Sequence, residues 1–81
     1  MTTATATKVF GTFYPVVSST VEAYSVEASG KKINLLIRFK HGSTYRYLDV
    51  GQAVVEGFEQ APSKGRFIAS DLRDAFLTEK V

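Results

Sequence analysis

One alternating run constrains this chain more than any other feature of its sequence. Between residues 33 and 39 every second side chain is apolar, and two tyrosines follow beyond Gly42. Such period-two alternation indicates a β-strand with one buried face. The positions concerned are Ile33, Leu35, Ile37, Phe39, Tyr45 and Tyr47. The run therefore predicts an antiparallel hairpin that turns at residues 40–42.

The length of the turn decides which face each side chain occupies. A two-residue loop, His41-Gly42, would pair Ile37 with Arg46 and place both tyrosines opposite the aliphatic face. A three-residue loop pairs Ile37 with Tyr45 and puts Gly42 in the left-handed conformation that glycine tolerates. Because a slip of one residue exchanges the two faces, the register that separates apolar from polar side chains is favoured. We therefore expect a three-residue loop, with Arg38, Lys40, Thr44 and Arg46 on the polar face.

Two further segments have strand character. Residues 18–30 alternate at Tyr24, Val26 and Ala28 and end in a Ser-Gly turn, so they predict a strand before the hairpin. Residues 8–15, KVFGTFYP, combine β-favouring aromatic side chains with a closing proline. They predict a short edge strand. The sheet is therefore expected to have three strands, or four with this edge.

The second half of the chain reads as two helices. Asp49 and Gln52 have the spacing of a capping box, and Pro62 ends the first apolar stripe. Ser63 is placed to cap a second helix. The apolar stripe of that helix consists of Phe67, Ile68, Leu72, Ala75 and Phe76. Strands followed by helices predict a small α+β fold, an antiparallel sheet with two C-terminal helices packed on one face.

Composition limits the class of protein. The chain has 81 residues, a net charge of +2 and no cysteine, which allows one domain and excludes disulfides and thiolate sites. No apolar run approaches the roughly 20 residues that a membrane-spanning helix needs, so no membrane association is expected. Residues 1–7 lack the pattern of a signal peptide. We expect residues 1–17 to be a tail with the possible edge strand, residues 18–81 to be the domain, and the location to be cytoplasmic.

Residue patterns typical of enzymes are missing. His41 is the single histidine and lies in the predicted turn, where a solvated side chain is the ordinary interpretation. One histidine without cysteine gives no zinc pattern, and the sequence has no phosphate-binding glycine loop. The sequence therefore predicts a non-catalytic protein without metal or cofactor.

The start of the second helix offers a candidate phosphate site. Ser63, Lys64, Gly65 and Arg66 combine free backbone N–H groups, two full positive charges and a glycine that lets a ligand approach the backbone. The alternative is a capped helix with solvated basic side chains, which is a common arrangement.

The polar strand face offers a second basic surface. Arg38 and Arg46 belong to it, and arginine beside exposed rings can bind single-stranded nucleic acid. In the expected register, however, Tyr45 and Tyr47 point towards the helices. An ordinary polar sheet surface is therefore the alternative, and a net charge of +2 is low for a nucleic-acid binder.

The ordered motifs between Gly42 and Arg73 resemble the KTSC domain. That family is named after the C-terminus of certain lysyl-tRNA synthetases and also occurs as stand-alone bacterial and phage proteins. The matching residues are Gly42, Tyr45, Arg46, Tyr47, Val50, residues 61–67, Leu72 and Arg73. Gly42, Tyr45, Tyr47 and Phe67 are the signature and core positions that the resemblance implies. Gly51 stands where the family usually has proline, and Ile68 stands where it has asparagine.

The resemblance implies an α+β domain and, through the synthetase context, a link to RNA. We expect a small non-catalytic module that contacts RNA or other nucleic acid through phosphates. The expected contacts are Ser63, Lys64, Gly65, Arg66, Arg73, Arg38 and Arg46. The alternative is a protein-interaction module, such as a phage-encoded adaptor or inhibitor of a host protein in the host cytoplasm. In that case residues 8–15 could pair with a sheet edge or form a homodimer.

Overall fold

A computed structural model shows an α+β fold in which one antiparallel sheet packs against two short helices. The structure describes residues 11–81. Its strands are β1 (Tyr14–Pro15), β2 (Val21–Ser29), β3 (Lys32–Phe39), β4 (Thr44–Tyr47) and β5 (Thr78–Lys80). The helices are α1 (Gln52–Gln60) and α2 (Lys64–Phe67), which continues as a π-helical turn, Ile68–Leu72. The strands lie in the order of the chain from β1 to β5.

The β3–β4 hairpin has the expected three-residue loop. Ile37 is paired with Tyr45 and Leu35 with Tyr47. The amide of Phe39 donates to the carbonyl of Ser43 at 2.8 Å, and Gly42 has φ of 110°. That φ lies in the region that side chains with a Cβ rarely adopt, so the loop depends on glycine.

The register gives the sheet two different faces. The helix face carries Leu35, Ile37 and Tyr47, all buried in the core. The outer face, which points away from the helices, carries Leu36, paired with Arg46, and Arg38. The predicted separation of apolar from charged side chains in this hairpin is therefore confirmed.

The core lies between the helix face and the helices. Phe58 of α1 is fully buried, and its ring meets the rings of Tyr24 and Phe67 edge-on at 5.4 and 5.9 Å. Edge-to-face contacts of this kind stabilise beyond the burial of area alone. Leu72, in the π-helical turn, is also fully buried. The helices therefore cover one face of the sheet, as expected.

The sheet has more strands than the sequence predicted. β1 pairs with β2 through Tyr14 and Pro15, so the fourth strand is present in the described part of residues 8–15. Residues 8–10 lie outside the described residues. The fifth strand, β5, pairs with β4 and was not expected. Its three residues, Thr-Glu-Lys, are all polar and exposed, so the sequence has no apolar periodicity that could have identified the strand.

The first helix is capped differently from the prediction. The prediction of a capping box at Asp49 and Gln52 is wrong, because Gly51 is the N-cap and no side chain bonds to the helix start. Asp49 instead has φ of 56°, and its amide donates to Asn34 Oδ1 at 2.8 Å. The Gln52 side chain donates to Glu56 one turn later. Ser63 does cap α2, since its hydroxyl accepts from the amide of Arg66.

Shortening one core side chain tests this packing. Ile37→Val removes one methylene from a fully buried site and should lower the free energy of unfolding by about 0.5–1.5 kcal/mol. Chemical denaturation measures the change. Val17→Ala, at a fully exposed apolar position, should stay within about 0.5 kcal/mol of the parent. Equal effects at the two positions would contradict the assignment of the core.

Candidate functional site

A groove lies on the helix face where the β3–β4 hairpin turns. It has a volume of about 320 Å³ and combines aromatic walls with one cationic side chain. Its lining residues are Phe39, His41, Tyr45, Tyr47, Ile68, Arg73 and Thr78. We call it the aromatic groove. β3, β4, β5 and the helical segment after α2 each contribute to it, so the tertiary fold and not one motif creates it.

Three rings at the hairpin stack or meet edge-on. His41 lies parallel to Phe39 with ring centroids 5.4 Å apart, and Phe39 meets Tyr45 edge-on at 5.8 Å. His41 is exposed, whereas Phe39 and Tyr45 are half-buried. Partly open rings held by their neighbours form a surface on which a planar group can stack at a low ordering cost. His41 is solvent-exposed, as the sequence indicated, but it also belongs to this aromatic surface.

Tyr47 and Arg73 give the groove a polar character. Burial raises the pKa of the Tyr47 phenol, Tyr45 raises it further, and the positive charge of Arg73 opposes the shift. The hydroxyl therefore stays protonated at neutral pH and can donate a hydrogen bond. The guanidinium of Arg73 is exposed. The groove thus presents rings together with an accessible cation.

The predicted phosphate site lines a second, separate depression. This helix-start cleft has a volume of about 360 Å³ and is lined by residues 17–20 and 62–66. A Cβ on Gly65 would lie 3.2 Å from Thr20 Oγ1, so the glycine here permits close packing of α2 against the chain before β2. The hydroxyl of Ser63 already accepts from the amide of Arg66. Arg66 remains exposed at the rim.

Lys64 has a structural role in this arrangement. Its ammonium donates to the carbonyl oxygens of Phe58, Glu59 and Ala61 at 2.8, 2.8 and 2.9 Å. All three of its N–H groups therefore have partners at the C-terminal end of α1, where carbonyls lack helical partners and the dipole favours a cation. A phosphate at the cleft would have to compete with these bonds. The sequence shows the charge of Lys64 but not the carbonyl groups that its ammonium contacts.

Arg38 and Arg46 lie on the outer face, away from both depressions. The guanidinium of Arg38 stacks over the Phe13 ring, 4.1 Å from its centroid. Arg46 bonds to Glu27 and, at 2.7 Å, to Glu79, and these carboxylates raise the pKa of its guanidinium. The structure thus separates these two arginines from the helix-start residues and from Arg73.

The groove and the cleft flank the same end of the sheet. The amide of Lys40 donates to the carbonyl of Thr20 at 2.9 Å, and Thr20 lines the cleft while the neighbours of Lys40 line the groove. Lys40 is exposed, as are Arg66 at the cleft and Arg73 at the groove. We call these three cations the cationic rim.

A pocket at the opposite end of the sheet is built around Asn34. It has a volume of about 380 Å³ and is otherwise lined by Lys32, Leu48, Asp49 and residues 75–77. The Asn34 amide donates to Glu27, and its oxygen accepts from the amide of Asp49. Both polar ends are thus occupied, so Asn34 holds the β4–α1 connection in place.

Within residues 11–81 there is no group of three side chains suited to a metal ion. No helix in the same range is long and apolar enough to cross a membrane.

The fold and the groove define a small α+β domain with an open, ring-lined site. The family model of the KTSC domain matches residues 18–76. The crystal structure of a KTSC domain protein from Yersinia pestis superimposes with a TM-score of 0.73 at 32% identity, covering 86% of this chain and 96% of that one. Among curated proteins, none matches this sequence. The chain belongs to the KTSC domain family, which confirms the resemblance.

Replacing Lys64 distinguishes a structural from a ligand-binding role. Lys64→Met keeps the aliphatic stem but leaves three carbonyls without their donor, which should lower the free energy of unfolding by about 1–3 kcal/mol. Thermal or chemical denaturation measures it. The matched control, Arg66→Met, removes an exposed charge from the same turn and should change stability by less than about 0.5 kcal/mol. A neutral Lys64→Met would refute the capping role.

Proposed function

We propose that this chain is a non-catalytic module that binds single-stranded RNA at the aromatic groove, with phosphates contacted by the cationic rim. The observation that carries the proposal is the geometry of Phe39, His41 and Tyr45 beside Arg73 in one open depression. Base-on-ring stacking with nearby arginine is how proteins commonly hold single strands. The resemblance to the C-terminal domain of certain lysyl-tRNA synthetases supports RNA as the nucleic acid.

The proposed phosphate contacts differ from those expected from the sequence. We retain Arg66 and Arg73, and we add Lys40, whose amide bonds to Thr20 of the cleft and whose chain neighbours line the groove. Arg38 and Arg46 are no longer proposed as RNA contacts, since they lie on the outer face with partners of their own. Lys64 is also omitted, because its ammonium donates to carbonyl groups at the end of α1. Ser63 and Gly65 shape the cleft rather than supply charge.

Two properties of the site favour a single strand over a duplex. The rings can stack only on a base whose face is free, which paired and stacked bases do not offer. Three exposed cations are also few for binding a duplex by charge alone. The proposed ligand is therefore a short unpaired segment, with one base on the rings and its phosphates on the rim.

The alternative function is that of a protein-interaction module, which would contact its partner through an edge of the sheet. Within the described residues, β1 already pairs with β2 of the same chain, so residues 14–15 are engaged internally. A role of residues 8–15 in contacting a host protein or a second copy stays a prediction. We also propose a bacterial or phage origin and a cytoplasmic location.

A salt-dependent titration tests RNA binding. Anisotropy of a labelled unstructured RNA of about 12 nucleotides should rise with protein concentration. If three phosphates are contacted, affinity should fall roughly 20-fold between about 50 and about 200 mM salt. A hairpin RNA of the same length should compete poorly. Absence of salt-dependent binding up to millimolar protein would contradict the proposal.

Variants at the groove locate the binding. Tyr45→Leu keeps apolar packing but removes the ring, so it should weaken RNA binding by about 1–3 kcal/mol, while Tyr45→Phe should bind like the parent. Arg73→Ala should also weaken binding and flatten the salt dependence. The matched control is Arg38→Ala, which removes the same charge from the outer face. Equal losses in Arg73→Ala and Arg38→Ala would show non-specific attraction instead.

A further inference from the structure

The second edge of the sheet, β5, has hydrogen-bonding groups directed away from the molecule. The amide of Val81 donates to Thr44, and that of Leu48 donates to Leu77. Because hydrogen-bonded pairs alternate along an antiparallel ladder, the backbone groups of Thr78 and Lys80 point away from β4. Within residues 11–81 no strand lies beyond β5. Such an edge is a template for pairing with another strand.

We propose that two copies of this chain pair antiparallel through β5, related by a two-fold axis perpendicular to the sheet at Glu79. In this register Thr78 of each copy exchanges two backbone hydrogen bonds with Lys80 of the other. Glu79 then lies opposite Glu79 at the axis. The two five-stranded sheets become one continuous sheet, with both helix layers on the same side.

The apolar side chains that flank β5 support this occupant. Among the described residues three large hydrophobic side chains are exposed, and two of them, Leu77 (78%) and Val81 (61%), lie at the ends of this strand. A two-fold axis at Glu79 brings Leu77 of one copy directly opposite Val81 of the other, twice. Cross-strand apolar pairs of this kind stabilise a sheet. The edge is therefore complementary to itself.

Each Glu79 at the axis has a cationic partner within its own copy. Two glutamates directly opposite each other repel. Each Glu79, however, accepts from Arg46 of its own chain at 2.7 Å. The row across the interface thus reads arginine, glutamate, glutamate, arginine, and each Arg46 also bonds to Glu27 of its own chain. This arrangement limits the repulsion and makes Glu79 the position where the dimer can be tuned.

Pairing through β5 would also bring the two aromatic grooves together. Thr78 lines the groove of its own chain and is one of the residues that pairs across the axis. Both grooves therefore open on the same side of the joint sheet, next to the interface. A ligand long enough to reach both would bind to the pair more tightly than to one copy.

The area of the interface predicts a weak association. One short strand from each copy falls below the roughly 1,200 Å² typical of stable complexes, so the dimer should be transient. A Kd on the order of 100 µM would correspond to such an interface. Measurements must therefore extend to high protein concentration.

Sedimentation equilibrium of the full chain tests the proposal. The weight-average mass should be close to the 8.9 kDa of one chain at about 10 µM and rise towards twice that mass at about 1 mM. Lys80→Pro removes an N–H that points away from β4 and leaves the β4–β5 bonds in place, so it should remain monomeric at about 1 mM. Glu79→Gln should tighten the dimer about two- to fivefold by removing the like-charge pair.

A matched pair of variants guards against effects of folding. Leu77→Lys places a charge at the interface, whereas Val17→Lys places the same charge at another exposed apolar position, away from β5. The first should abolish the rise in mass and the second should not, with both retaining the circular dichroism of the parent. A monomeric parent at about 1 mM would overturn the proposal. A dimer that survives both Lys80→Pro and Leu77→Lys would overturn it as well.

Discussion

The three-residue turn that ends at Gly42 sets the register between β3 and β4, and that register decides which side chains meet the helices. With the observed pairing, Tyr45 lies opposite Ile37 on the helix face and Arg46 lies opposite Leu36 on the outer face. A shift of one residue would exchange them, burying a guanidinium and exposing both tyrosines. The observed loop requires a φ of 110° at residue 42, which glycine adopts without a steric clash.

The cations of this small molecule have different roles. Arg46 reaches two carboxylates on the outer face and fastens β5 to the sheet. Lys64 closes the C-terminal end of α1. Arg73, Lys40 and Arg66 remain exposed, so they are the basic side chains proposed to contact phosphates.

The sequence was informative where a pattern repeats and uninformative where contacts are set by the tertiary fold. Alternation and one glycine were enough to predict the β3–β4 register, and Ser63 was recognisable as a cap because capping is local. β5 could not be predicted, since Thr78–Lys80 is polar and exposed and pairs only because β4 has a free edge. Asp49 failed as a cap because the buried Asn34, 15 residues earlier, holds its amide.

The candidate site shows the same division. Tyr45, Tyr47 and Arg73 were identifiable as residues of interest, whereas their meeting with Phe39, His41 and Thr78 required the sheet and the helical segment to come together. Lys64 looked like a ligand contact because a sequence shows a charge without its partner. The groove is thus a property of the whole domain, and all of its lining residues except Thr78 lie within residues 18–76, which the family model matches.

Amide chemical shifts of the labelled protein, recorded while a short single-stranded RNA is added, locate the RNA-binding surface residue by residue. If RNA binds in the aromatic groove, the largest changes fall on Phe39, His41, Tyr45, Ile68, Arg73 and Thr78, with smaller changes at Lys40 and Arg66. Changes concentrated around Arg38 and Arg46 on the outer face, or no changes at millimolar RNA, would contradict it.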